Sequence, residues 1–455
     1  MKKIAIGGGQ GFWGDSPDAA IHMIRNGNIQ YMGCDYLAEL TLSIMAKQQL
    51  KDPSKGFAPD FVTRILKEAG KEAWQKNIRI TTNAGGMNIQ GCVDAIKAQA
   101  EAQNMKGYKI GYVTGDAIKD KIPKLLKDGW TFPNFDYDGN FNDIVDKIYN
   151  CNAYIGHEGI EEALDQGADV VVTGRAADSA LFLAPLAHEF GWADDDWDNL
   201  ARGIMAGHLL ECGGQGAGGN YMYDWRNVPR MDELGFPIAE LTEDTFEVTK
   251  APDCGGVICE QSCKEQFLYE VHDPANYMTP DVNVDISKAT ITQMGENRVR
   301  IGNVHGKKRP DTLKLCVGYH KGWKTVSMLS FAWPDAYEKA KYCADIIMKK
   351  MMRRGMKADD IHISYIGLNS LHLGVADMSE EALKNLNECV MRIAVFSEDK
   401  NECAKIIPEI SPMQLNGPPG ASFFGGRAHV QEVMALWPTT VPRDALDIQS
   451  HILTV

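Results

Sequence analysis

Two carboxylates, Asp15 and Asp35, each close a stretch that begins as a short apolar run: Ile4-Ala5-Ile6 before the first and Ile29–Met32 (residues 29–32) before the second. Side by side in one crevice, such a pair divides into an acid and a base, because burial and like charge raise one pKa above the other. Ordinary helix capping is the plain alternative. A third strand end, residues 173–179, carries both Arg175 and Asp178. The guanidinium can hold a carboxylate or phosphate through two parallel hydrogen bonds, or it can pair with Asp178 and fix the turn. His208 and Glu211, three apart on one helix face, suit a proton-transfer base and its orienting partner, or a surface pair. Cys212 follows directly. It is a nucleophile if its surroundings favour the thiolate, and otherwise a small buried hydrophobe. His157-Glu158 at a helix start is a further proton-transfer pair. Cys254, Cys259 and Cys263 match neither zinc-ribbon nor iron–sulfur spacing, so no metal is expected.

Glycine-dense loops surround these groups. The first contains Gly8, Gly9, Gly11, Phe12 and Trp13; another strand end supplies Asn83, Gly85 and Gly86. Ser179 stands beside Asp178, and Gly213, Gly214, Gln215 and Asn220 follow Cys212. Glycine permits positive φ and close backbone approach at an entropic cost, so these residues are the expected ligand contacts. Gly9, Gly11 and Gly14 with Asp35 also spell a dinucleotide fingerprint, which opens an alternative as an NAD(P)-dependent oxidoreductase. Ser16-Pro17 argues against it, because these residues read as an N-cap and first helical position. A helix starting there begins after the glycines rather than within them, and Asp15 adds a negative charge beside any phosphate.

The elements needed to position these residues alternate strand and helix through the first half. In parallel sheets ligands lie beyond the carboxyl ends of the strands, so the loops should converge on one crevice. The expectation is an α/β fold: a Rossmann-like, mostly parallel sheet with helices on both faces, spanning 1–245. A second α+β domain with a mixed sheet should span 246–455, with 411–455 folding back on the first. Residues 128–152, rich in Asp, Asn, Phe and Gly, read as an irregular insertion. A net charge of −14 disfavours nucleic acid and anionic membranes, and no apolar run is long enough for a membrane span. The opening apolar run is also too short for a signal peptide. Eleven cysteines scattered through 455 residues suit thiols in a reducing compartment, so a cytoplasmic setting is expected.

The ordered segments 7–20, 35–41, 82–86, 173–180 and 207–215 resemble the acyclic terpene utilisation family, the AtuA-like proteins. Pro280-Asp281-Val282 and residues 313–322 are similar too, and the resemblance runs from about residue 3 to 355. It implies a part in catabolism of branched acyclic acids beside acyl-CoA enzymes, in some cases with a small ferredoxin-fold companion, and it transfers no catalytic residue. The expectation is an enzyme acting on a carboxylate or acyl-CoA by proton transfer next to a carbonyl: a hydratase, lyase or isomerase. Glycine-loop amides and Arg175 would hold the anion. No cofactor is expected beyond CoA as part of the substrate, and a homo-oligomer is expected. A non-catalytic acyl-binding or assembly subunit working with the companion is the remaining alternative.

Overall fold

The computed structural model describes residues 2–455. The strands that carry the strand-end loops are β1 (Ile4–Gln10), β2 (Tyr31–Cys34), β3 (Arg79–Thr82), β4 (Lys109–Thr114), β5 (Ile148–Ala153) and β6 (Val170–Thr173). Five of these form the parallel centre of a ten-stranded sheet in the order β1-β2-β3-β6-β4. Alternate side chains of a strand face opposite sides. Thus Ile4 and Ile6 of β1 and Val171 of β6 enter one core with the helices Ala180–Phe190 and Trp197–Leu210. Ala5, Val170 and Val172 enter the other, with the helices Pro17–Asn26 and Ile89–Ala102. Helices therefore cover both faces.

The sheet as a whole is mixed rather than mostly parallel. β7 (Pro237–Leu241) pairs antiparallel with β1, β8 (Phe246–Lys250) with β7, and Arg298–Gly302 and Thr290–Gly295 extend that edge antiparallel. At the other edge Gln449–Thr454 runs antiparallel to β4. The reason lies in the connections. Short turns join β7 to β8 and Thr290–Gly295 to Arg298–Gly302, and short turns can join only antiparallel neighbours.

The chain divides into two compact units, one of residues up to Tyr319 with Leu436–Val455 and the other His320–Ala435. The position 245/246 falls in the turn between the paired strands β7 and β8. Within the second unit, residues 323–332, Glu388–Ser397 and Asp360–Ile366 make an antiparallel sheet that buries one face against the helix Ala336–Arg353. In the first unit, the insertion expected at 128–152 ends in β5, which pairs with residues 315–319 of the strand Thr312–Ala332. Its polar composition hides it. Asn150 accepts the buried Ser43 hydroxyl at 2.8 Å, and Asn152 donates to Asp116 at 2.8 Å, so both asparagines are satisfied inside the fold. No helix among the described residues is long and apolar enough to cross a membrane.

Candidate active site

One cavity of about 1530 Å³ opens at the carboxyl ends of β1, β2 and β6 in the first unit. It exceeds the roughly 300–1,000 Å³ of an ordinary small-molecule pocket. Asp15, Asp35, Arg175, Asp178, Glu211 and Cys212 line it, together with Gly11, Phe12, Ser179, Gly214, Gln215 and Asn220. His208, Gly8, Gly9, Trp13, Asn83, Gly85, Gly86 and Gly213 do not reach its wall.

Gly8 and Gly11 are small because the two glycine loops lie against each other. A Cβ on Gly8 would come 2.9 Å from the Leu210 carbonyl oxygen, and one on Gly11 would come 2.7 Å from the Cys212 carbonyl carbon. Gly9 and Gly85 face Cys34 and the Thr173 backbone. The Trp13 indole donates to Asp60 at 2.9 Å, which turns it away. Asn83 is a support for Asp35: its Nδ2 donates to Asp35 Oδ1 at 2.5 Å, while its Oδ1 accepts the Tyr36 amide at 2.7 Å. The Leu37 amide reaches the same Asp35 oxygen at 3.0 Å.

Asp15 closes the first loop onto itself. Oδ2 accepts the Gly11 amide at 3.0 Å and Oδ1 accepts the Ser16 amide at 2.7 Å. The helix begins at Pro17, as its sequence indicates, but the Ser16 hydroxyl makes no cap, and Asp15 holds the Ser16 amide just ahead of the helix. Burial raises the Asp15 pKa against the pull of these two amides.

Arg175 is the buried centre of the site, 2 % exposed. One terminal nitrogen donates to the Leu37 carbonyl, the other pairs with Asp178 at 3.0 Å, and the guanidinium lies 4.0 Å from the Tyr154 ring centroid. The arginine is thus committed to the protein rather than offered as a clamp. Tyr154 donates to Glu39 Oε1 at 2.5 Å, and Lys314 reaches that same oxygen at 2.8 Å. Glu39, Tyr154 and Lys314 all line the cavity. Glu39 lies inside the 35–41 segment already singled out, and Tyr154 directly follows β5. Lys314 has no local signal, because 275 residues separate it from Glu39.

The charges compete. Burial pushes Asp35 up to about 6, with Arg175 pulling down and Glu211 pushing further up. Burial likewise raises Asp178 well above the carboxylate range, opposed by Arg175 and reinforced by Asp35 and Glu211. Burial also disfavours the Glu39 charge, but Lys314, Tyr154 and Arg175 outweigh it and bring Glu39 down to about 2. One guanidinium cannot neutralise so many carboxylates at once, so a proton stays in this cluster near neutral pH. Cys212 is held as a thiol: burial, then the Glu211 charge, raise its pKa strongly, which opposes a nucleophilic role.

His208 is 1 % exposed. Its Nδ1 meets Glu211 Oε1 at 2.9 Å, and its ring lies 5.5 Å from that of Tyr277. It aims Glu211, which alone of the pair reaches the cavity. His157 lies outside the cavity, with Nδ1 2.7 Å from Asp281 Oδ1. With Glu158 these residues have metal-ligand spacing, but Arg309 pairs with Glu158 and Arg443 acts on Asp281, so the cluster already carries its cations. All eleven cysteines are free; Cys259 caps the helix Glu260–Leu268 and Cys263 is buried.

Compared with known proteins, residues 4–452 match the family model described as acyclic terpene utilisation family protein AtuA, and the chain belongs to that family. No curated protein matches the chain, and no solved structure does.

Proposed function

We propose that this member of the acyclic terpene utilisation family is an enzyme that moves a proton next to the carbonyl of a branched acyl compound, as a hydratase, lyase or isomerase. The observation that carries this reading is Asp35, a buried carboxyl on the cavity wall whose pKa is pushed up to about 6. A proton-transfer group works best when its pKa lies near the working pH. Both protein hydrogen bonds to Asp35 fall on Oδ1, which leaves Oδ2 to exchange the proton. Asp178, whose pKa burial also raises and which lies beside Arg175, is the partner that supplies a proton to the developing oxyanion. Glu211, aimed by His208, adds the negative charge that keeps both carboxyls protonated at higher pH.

The oxidoreductase reading has less support. The Gly11 and Ser16 amides, which a bound pyrophosphate would need, are both taken by Asp15. The test of the acid–base reading is solvent exchange. Branched acyl compounds, as free acids, amides and CoA thioesters, are incubated with the protein in deuterium oxide and weighed by mass spectrometry. Deuterium should enter next to the carbonyl and should not do so with Asp35→Asn. A full panel without incorporation refutes the reading.

A further inference from the structure

Three observations describe what the cavity accepts. Eleven of its lining residues are Asp or Glu, against three Lys or Arg and two His. Each of those three cations already has a carboxylate: Arg175 pairs with Asp178, Lys314 with Glu39, and Arg230 with Glu233. The Asp15 carboxylate also occupies the Gly11 and Ser16 amides of the glycine loop ahead of the helix Pro17–Asn26, so an anion position in that loop is filled from within. A wall of one sign around a partly enclosed space focuses its field into that space and repels ligands of the same sign.

From this charge arrangement, and resting on the acid–base reading above, we infer that the cavity's substrate is an uncharged branched carbonyl compound, such as an aldehyde, ester or amide, presented without a free carboxylate or a nucleotide handle. An uncharged carbonyl gains from the Asp178 carboxyl beside Arg175, because a neutral acid donates a hydrogen bond to the carbonyl oxygen. A carboxylate meets excess like charge. A CoA thioester brings several phosphate charges and meets lining cations that are each already paired with a carboxylate.

The test compares three ligands with one carbon skeleton: 3-methylbutanamide, 3-methylbutanoate and 3-methylbutanoyl-CoA. Affinities are measured by calorimetry on the full chain at pH 7.5, at low salt and again at roughly 0.5 M salt, where exposed charges are screened. The amide should bind tightest, by roughly tenfold over the carboxylate and more over the thioester, and salt should narrow both gaps. The inference is overturned if the carboxylate or thioester binds as tightly as the amide, if the amide does not bind, or if salt leaves the gaps unchanged. Deuterium exchange on the same three compounds separates the two readings. Exchange together with tight thioester binding overturns this inference and keeps acid–base chemistry; tightest amide binding without exchange does the reverse.

Discussion

The Asp15 carboxylate lies 3.0 Å from the Gly11 amide, and a Cβ placed on Gly213 would lie 3.0 Å from that same Asp15 oxygen. One side chain therefore ties the first glycine loop and meets the second, doing inside the protein what a bound anion does in other glycine-rich loops. Asp15→Ala should cost about 1–3 kcal/mol, the range for losing hydrogen bonds to a charged group. Thermal unfolding checks this, and millimolar formate should recover part of the loss in the variant without affecting the wild type.

Asp35 links function to stability. Its pKa is about 6 in the fold against 3.8 as the unperturbed value. Below both values the two states bind the proton equally. Between them the unfolded chain releases it and the folded chain keeps it, so stability falls as pH rises from about 4 to about 6. The total is roughly 2–3 kcal/mol at 1.36 kcal/mol per unit. Asp35→Asn should therefore unfold at higher temperature than wild type at pH 7.5 and at the same temperature near pH 4, while turnover drops by roughly a hundredfold or more. Equal melting at both values counts against the buried, protonated carboxyl.

His208 and Glu211 should separate. His208 is fully buried against Tyr277, so His208→Ala leaves a cavity and an unaimed carboxylate, at about 2–4 kcal/mol. Glu211→Gln keeps the shape and a hydrogen bond to His208, so melting should barely move. Because Glu211 raises Asp35, its neutralisation should shift the acidic limb of the pH–rate profile downward. An unmoved limb would leave Glu211 without electrostatic influence on Asp35.

Gly11→Ala should destabilise by about 1–3 kcal/mol, the cost of forcing an extra carbon into a packed contact, since the new Cβ meets the Cys212 backbone rather than the cavity. If ligand binding fell while melting stayed unchanged, Gly11 would be a ligand contact.

His157 and Asp281 set an alkaline limit. Burial opposes the imidazolium, but Asp281 outweighs it and lifts His157 from 6.5 to about 10. A raised folded pKa gives stability that is complete below 6.5 and is lost as pH climbs through about 10. Wild-type melting should fall across that window. His157→Gln should flatten the slope and, by taking the hydrogen-bonded imidazolium from buried Asp281, cost about 3–5 kcal/mol at pH 7.

The sequence by itself determined the strand ends and what stands on them. Apolar runs closed by glycine and an ionisable residue are local signals, and parallel strands point their carboxyl ends one way. For that reason Asp15, Asp35, Asn83, Arg175 and Asp178 could be expected at one crevice, and the cavity is lined by all of them but Asn83, which stands behind Asp35. The start of the helix at Pro17 was equally legible, because cap chemistry acts over a few residues. Only the tertiary structure decided which groups are free to act. Arg175 looks like an anion clamp until Leu37, Asp178 and Tyr154 surround it. Lys314 is one polar residue in a strand until the fold brings it to Glu39. Gly8 and Gly11 are small for packing between loops some 200 residues apart in the chain, against Leu210 and Cys212. The antiparallel edges of the sheet were hidden for a related reason: strand pairing is chosen by the partner's exposed edge, which no local pattern encodes. A carboxyl's pKa likewise depends on how deeply distant segments bury it and which charges they bring, and in Asp35 that burial outweighs the nearby arginine.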